Sequence, residues 1–80
     1  MTTKIDLYYE LGMRIKFLRK QRGMSQEDLA LSADINPRYL CELENGKRNP
    51  TLKVLNSIAQ ALKVSLETLF KGVTGNYLIG

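Results

Sequence analysis

Apolar residues recur at intervals of three and four along most of this chain, which is the spacing that one buried face of an α-helix requires. The first such stripe, which ends before Gly23, consists of Leu7, Leu11, Ile15 and Leu18. Two short helical patterns follow, then a loop without apolar residues, then two further helical patterns. The sequence therefore predicts five helices and no strands, at 7–21, 26–32, 37–45, after Thr51, and at 66–70.

Capping residues stand at the predicted helix starts. Ser25 precedes the second helix and has Asp28 three residues later, which is the spacing of a capping box. Asn36 precedes the third helix, and Pro37 suits its first turn. Between these two helices Asp34 can adopt the left-handed backbone of a tight turn. Thr51 before the fourth helix and Ser65 before the fifth are further caps of this kind. Gly46 stands after the third helix, where glycine commonly ends a helix.

None of these helices is long enough to be stable alone, so they must share one core. The residues expected in that core are Leu11, Ile15, Leu18, Leu29, Ala30, Leu40, Leu43, Leu55, Ile58, Ala59, Leu62 and Leu69. This pattern predicts an all-α fold, a compact five-helix domain over residues 1–72, followed by a short apolar tail at 73–80. A coiled coil is not expected, because no heptad persists.

Two apolar residues of the first helix, Met13 and Phe17, lie four residues apart and off the main stripe. Exposed pairs of this kind usually have a cover. The tail supplies Tyr77, Leu78 and Ile79, which would either fold back onto the pair or join a partner chain together with it. Scattered surface hydrophobes are the third interpretation.

Composition narrows the class of protein and the compartment in which it is expected. The chain has 80 residues, of which 44% are hydrophobic, so one small core is expected. No apolar run approaches the ~20 residues that span a bilayer, and the first residues lack the apolar region of a signal peptide. The single cysteine, Cys41, excludes an internal disulfide and fits a reducing compartment. We therefore expect a cytoplasmic protein with no membrane partner.

The third predicted helix carries two distinct faces. At ~100° per residue Leu40 and Leu43 point inward, whereas Arg38, Glu42 and Asn45 point the opposite way. Arg38 can fork onto guanine, Glu42 can accept from cytosine N4, and Asn45 can reach a base or a phosphate. Each of these polar residues, taken alone, is explained by the solvent-exposed face that most helices of globular proteins have. The turn, the caps and the basic loop after the helix favour a helix that enters the DNA major groove.

Charge is spread unevenly along the chain. The net charge is +4 over residues 1–24, −2 over 25–50 and +2 over 51–80, a total of +4. The predicted groove-binding unit is thus acidic on balance, which opposes simple attraction to phosphate. The objection weakens if the acids in the first turn of the second helix face its positive end and Glu44 is paired internally. The exposed face would then be dominated by Arg38, Lys47 and Arg48.

Many of these residues match one known family at fixed spacing. They are Arg14-Ile15, Leu18-Arg19, Gly23 to Ala30, Ile35, Tyr39-Leu40, Leu43 to Gly46, Arg48, Pro50 to Leu52, Ile58-Ala59, Leu62, Val64 to Leu66 and Leu69-Phe70. The chain resembles the phage-repressor/Cro-type helix-turn-helix regulators, the XRE family, which includes lambdoid repressors and restriction–modification controller proteins. The resemblance covers about residues 11–71.

The resemblance implies a role for individual residues. The base-reading positions would be Asn36, Pro37, Arg38 and Glu42. The phosphate contacts would come from Gln26, Asn45, Lys47 and Arg48, and the DNA-binding hypothesis adds Tyr39. Gln26 would also brace the first residues of the third helix. Arg19 and Glu44 match a structural ion pair, and the inward position of Glu44 independently calls for a cationic partner.

The chain departs from the family at three positions in the motif. Asp34 stands where glycine is common, which strains the turn mildly. Pro37 has no side-chain donor, so one usual base contact must be apolar or absent. Cys41 stands where serine is frequent. A redox-sensing thiol beside Arg38 is conceivable, but a simple replacement of serine is the favoured interpretation.

Two classes of function fit these features, and a third does not. The first is a sequence-specific transcriptional regulator that binds a palindromic operator as a homodimer, with dimer contacts at Val54, Leu66 and Phe70 on the C-terminal helices. The alternative is the antitoxin of a toxin–antitoxin pair, a protein-interaction module that would use residues 1–10 or the tail. An enzyme is not expected, because the chain has no histidine, no phosphate-cradling glycine loop and no metal-ligand cluster. We accordingly expect no cofactor and no small-molecule ligand.

Overall fold

The computed structural model describes residues 6–74, and this part of the chain folds into five α-helices without a strand. They are α1 (Leu7–Gln21), α2 (Gln26–Ala33), α3 (Pro37–Glu44), α4 (Leu52–Leu62) and α5 (Leu66–Leu69). The predicted all-α, five-helix fold is confirmed, and the ends of α2, α3 and α5 differ from the prediction by one residue each. None of the helices in this range is long and apolar enough to cross a membrane.

The helix starts are held by the side chains that the sequence predicts. Ser25 Oγ accepts from the Asp28 N–H and Asp28 Oδ2 accepts from the Ser25 N–H, both at 3.0 Å, which completes the capping box. Hydrogen bonds from the backbone and the hydroxyl of Ser25 hold the pKa of the Asp28 carboxyl below its ordinary value. Asn36 Oδ1 accepts from the Arg38 N–H at 2.8 Å. The remaining predicted caps are also present, Thr51 on α4 and Ser65 on α5.

One apolar core lies between the helices. Every residue predicted for it is buried, and Ala33 joins them. Leu7 shares the spacing of the first stripe but is exposed at the first residue of α1. Val73, which the prediction assigned to the tail, packs against the core, and Thr74 Oγ1 donates to Glu10 Oε2 at 3.3 Å. The chain just beyond α5 is therefore held against α1 and the core.

Gly12 allows α1 and α3 to approach closely. A Cβ at this position would lie 2.6 Å from the carbonyl oxygen of Glu44 and would also collide with the carbonyl oxygen of Leu43. α2 packs against α3 and α4, while α5 packs against α1 and α4. The C-terminal end of α3 is thus pressed onto α1, whereas its N-cap and first two residues, 36–38, are exposed.

The outer face of α1 carries apolar residues that the core does not cover. Tyr9, Met13 and Phe17 follow one another at four-residue intervals, and each is about half exposed. The cover predicted for Met13 and Phe17, residues 77–79, lies outside the described residues. Arg14 lies beside Phe17, with its guanidinium 5.6 Å from the ring centroid.

Candidate nucleic-acid interface

A tight turn sets α3 against α2. Asp34 ends α2 in the left-handed conformation, with φ 58° and ψ 47°. Its N–H donates to the carbonyl of Leu31 at 3.2 Å, and the N–H of Ile35 donates to the carbonyl of Ala30 at 2.9 Å. Aspartate tolerates this region better than most residues other than glycine. The predicted turn is confirmed, and aspartate in place of glycine leaves it intact.

A buried cluster of hydrogen bonds joins α1, α2 and α3. Arg19 donates to Glu44 through Nε to Oε2 at 2.7 Å and through Nη2 to Oε1 at 3.0 Å. Gln26 Nε2 donates to the same Oε1 at 2.9 Å, and Arg19 Nη1 donates to the carbonyl of Met24 at 2.8 Å. Arg19 is 7% exposed and Glu44 only 2%. Within residues 6–74 no buried side-chain nitrogen or oxygen lacks a partner, so each buried polar atom of this pair has at least one hydrogen bond.

Gln26 differs from the prediction in one respect. We expected it to brace the first residues of the third helix, but its side chain bonds to Glu44 in the last turn of α3. A carboxylate can accept up to about four hydrogen bonds, so Glu44 has room for this amide besides the two donors of Arg19. The Gln26 amide keeps a second N–H that can reach another acceptor.

The N-cap and the first two residues of α3 are open to solvent. Asn36, Pro37 and Arg38 are all exposed, and the Arg38 side chain is 88% exposed. The side-chain oxygen of Asn36, Oδ1, accepts from the N–H groups of Arg38 and Tyr39, so the side-chain NH₂ group remains to contact a base. Pro37 offers only an apolar ring. Arg38 therefore directs more hydrogen-bond donors outward than either neighbour.

Glu42 and Arg48 are bonded to each other. Glu42 Oε1 accepts from Arg48 Nε at 2.7 Å and lies 2.7 Å from Arg48 Nη2. The Arg48 guanidinium also lies 5.4 Å from the centroid of the Tyr39 ring, within the range of a cation–π contact. On its other side Glu42 Oε2 is 3.9 Å from Arg38 Nε. From the sequence we expected these residues to be separate DNA contacts, and their pairing was not predicted.

The end of α3 explains how Arg48 reaches Glu42. Gly46 takes a left-handed conformation with φ 78°, and the Lys47 N–H donates to the Glu42 carbonyl at 2.9 Å. This bond, together with that from the Gly46 N–H to the Leu43 carbonyl at 3.0 Å, is the Schellman pattern. It turns the loop back along α3. Arg48 then contacts Tyr39 and Glu42 of α3, and both Lys47 and Arg48 remain exposed.

The predicted dimer residues are half-buried. Val54, Leu66 and Phe70 pack against the edge of the core and retain part of their surface for another contact. Two residues that the sequence analysis did not single out are more exposed, Leu31 at 84% and Leu52 at 67%. Leu31 lies off the buried face of α2, and Leu52 is the first residue of α4.

The described residues offer little for metal chemistry. Between residues 6 and 74 no group of histidine, cysteine, aspartate and glutamate side chains could hold a metal ion. Cys41 is a half-buried free thiol, and Asn45 Nδ2 lies 3.8 Å from its Sγ. The Arg38 side chain, which the sequence analysis placed beside this thiol, has its ion-pair contact with Glu42.

This geometry defines a class of protein. Two short helices joined by a tight turn, with the second helix braced by a buried ion pair and followed by a basic loop, form a helix-turn-helix unit. The family described as "Helix-turn-helix domain" matches residues 12–75. The chain belongs to the XRE-type helix-turn-helix family of transcriptional regulators.

Individual relatives extend this comparison. The transcriptional regulator DdrOP3 of Deinococcus deserti is 38% identical over 64 residues, which cover 80% of this chain and 50% of DdrOP3. The control protein C.MunI of a Mycoplasma species is 36% identical over 69 residues, 85% of this chain and 93% of C.MunI. The solved C.Esp1396I tetramer in complex with its natural 35-base-pair operator superposes with a TM-score of 0.77 at 34% identity, covering 84% of this chain and 88% of that one. This chain thus spans about half the length of DdrOP3 but nearly all of C.MunI.

Proposed function

We propose that the protein binds specific sites in double-stranded DNA and regulates transcription as a homodimer on a palindromic operator, with residues 36–45 in the major groove. The observation that carries this is the Arg38 side chain, which is 88% exposed at the start of α3. The buried Arg19–Glu44 pair anchors the other end of the same helix. Base readout requires a rigid helix with outward donors. The operator complex of the related C.Esp1396I supports the proposal.

The proposed contacts divide into two groups. Phosphate contacts fix the register on the duplex, and base contacts select the sequence. The base-reading group is Asn36, Pro37, Arg38 and Glu42. The phosphate group is Gln26, Tyr39, Asn45, Lys47 and Arg48. Arg19 and Glu44 contact no DNA in this proposal and act as a structural pair.

The proposed dimer uses the C-terminal helices. A two-fold contact places the same patch of both chains against each other. The half-buried surfaces of Val54, Leu66 and Phe70 supply such a patch. α2 and α3 are not available for this contact, because one of their faces meets the core and the other meets DNA.

Selection of bound sites from a random duplex library tests the proposed function. We expect a two-fold symmetric consensus whose half-site centres lie about one helical turn, ~34 Å, apart. Sedimentation of the complex should give two chains for each site. An asymmetric footprint, or full-affinity binding of a monomer to one isolated half-site, would contradict the proposal.

One observation favours the alternative function, the antitoxin of a toxin–antitoxin pair. Tyr9, Met13 and Phe17 leave an apolar strip on the outside of α1, which is the kind of surface that a protein partner covers. Purification from the native host tests this alternative. A small partner that is retained by the unaltered chain and released by Phe17→Asp would support it.

A further inference from the structure

Glu42 occupies an unusual place in the proposed interface, because it is an acid among the cations that would face DNA. Its carboxylate lies between Arg38, 3.9 Å away, and Arg48, 2.7 Å away. The Glu42 side chain is 30% exposed and that of Arg48 is 50% exposed, so the pair lies at the surface where DNA would dock. Because both side chains are partly exposed to solvent, neither charge needs the other to offset the cost of burial.

The pair occupies one of the two edges of Arg48 that a phosphate can use. A guanidinium grips an oxyanion through two parallel N–H groups, and Nε with Nη2 forms one of its two such edges. In the structure Nε donates to Glu42 Oε1, and Nη2 lies 2.7 Å from the same oxygen. The Tyr39 ring, 5.4 Å from the guanidinium carbon, helps to hold the group in place. A phosphate that approaches Arg48 through this edge must displace a carboxylate of the same sign as itself.

We infer that Glu42 makes the phosphate contact of Arg48 conditional on the base pair that Glu42 meets. This inference rests on the proposed DNA-binding function. At a site that presents a cytosine N4 amino group to Glu42, the amino group replaces Arg48 as donor to the carboxylate, and Arg48 is released to a phosphate. At any other base pair Glu42 retains Arg48, and the phosphate contact is lost. Glu42 thereby weakens binding to wrong sequences more than it strengthens binding to the right one.

The opposite arrangement gives opposite results. If Glu42 instead oriented Arg48 towards a phosphate, the two side chains would work together on every sequence. Removing the carboxylate would then weaken binding to all DNA. A double-mutant cycle distinguishes the two arrangements, because the sign of the coupling between Glu42 and Arg48 differs between them.

The experiment uses Glu42→Gln, Arg48→Ala and the double variant. Each is titrated by fluorescence anisotropy with the duplex selected by the unaltered chain and with a random-sequence duplex of the same length. Asp34→Asn is the matched control, because it removes one exposed carboxylate of the same motif, and asparagine tolerates the left-handed backbone at this position. Thermal unfolding of each variant verifies that it is folded, and Glu42→Gln preserves the shape of the side chain.

With the random duplex we expect Glu42→Gln to tighten binding roughly three- to tenfold and to steepen the slope of log K against log salt by about 0.9, the value for one added phosphate contact. When Glu42 is intact, Arg48→Ala should change the affinity for the random duplex by less than about twofold. In the Glu42→Gln background the same change should weaken that affinity roughly three- to tenfold. With the selected duplex Arg48→Ala should weaken binding in both backgrounds. Asp34→Asn should leave the effect of Arg48→Ala unchanged.

Two results overturn the inference while leaving the proposed function standing. One is that the unaltered chain binds its selected site specifically, but Arg48→Ala weakens binding to the two duplexes equally. The other is weaker binding of both duplexes by Glu42→Gln. If the unaltered chain selects no DNA sequence at all, the proposed function fails, and this inference fails with it.

Discussion

Replacement of Glu44 by alanine should strongly destabilise the fold. The Glu44 side chain is 1% exposed and accepts hydrogen bonds from Arg19 Nε, Arg19 Nη2 and Gln26 Nε2 at 2.7, 3.0 and 2.9 Å. Without the carboxylate, the Arg19 guanidinium stays buried, and among residues 6–74 the Met24 carbonyl is its one remaining hydrogen-bond partner. Removing one partner of a buried ion pair costs about 3–5 kcal/mol.

That loss is large beside the stability available. A domain of this size is expected to have an unfolding free energy of roughly 4–12 kcal/mol. The melting temperature should therefore fall by roughly 12–40 °C, or the chain should be unfolded at room temperature. Urea unfolding followed by far-ultraviolet circular dichroism is the suitable assay, since the chain has no tryptophan.

Two further variants make this test decisive. Glu44→Gln retains an oxygen that can accept from Arg19 and should lose about 1–3 kcal/mol. Arg19→Met combined with Glu44→Leu removes both charges and should recover much of the stability, because an apolar pair often replaces a buried ion pair without loss. Glu67→Ala, at an exposed site on α5, is the control and should change stability by less than about 0.5 kcal/mol. An unchanged urea midpoint for Glu44→Ala, or lost DNA affinity with stability intact, would refute the structural role.

Three other predictions concern the proposed interface, the dimer and the capping box. Arg38→Ala should weaken binding to the selected site by about 1–3 kcal/mol and relax the preference at one base pair. Lys47→Ala should instead weaken binding to all sequences alike and flatten the salt dependence. If Arg38→Ala weakened binding to every sequence equally, Arg38 would be a phosphate contact. Leu66→Asp and Phe70→Asp should shift the protein to monomer in sedimentation, and a folded dimer in both variants would exclude this surface. Because the pKa of Asp28 is lowered on folding, its contribution to stability is present above its ordinary value of 3.8 and is lost as pH falls through the lower folded value. Asp28→Asn should therefore flatten the acid side of the stability–pH profile measured by urea unfolding, and an unaltered acid limb would argue against the capping box.

The helices and the core could be predicted because their signals are local. The capping box of Ser25 and Asp28 spans three residues, and the N-cap of Asn36 acts on the next turn of the same helix. Periodicity alone assigned Leu40 and Leu43 to the core, where both are fully buried. These interactions depend on neighbours within about one helical turn, and the chain itself supplies those neighbours.

The candidate site could be predicted only in part. Periodicity indicates that Arg38 points outward and Glu44 inward, and both positions follow from the helix alone. The partner of Glu44 lies 25 residues earlier in the chain, and the resemblance to the XRE family, rather than the pattern, pointed to Arg19. The pairing of Glu42 with Arg48 was missed, although their opposite charges were visible. It depends on the path of the loop after Gly46, which the helical pattern does not describe.

The amino-acid sequence by itself therefore determined which segments are helical, where each begins, and which face of each is apolar. The tertiary structure decided which polar groups meet. Arg14 donates to the carbonyl of Thr68, 54 residues away, and Gln26 reaches Glu44 rather than the start of α3. Such contacts arise only after the helices have packed, because the position of each donor depends on the distance and angle between whole helices. Helix formation depends on residues within a turn of one another, whereas the site depends on how the helices are arranged around the core.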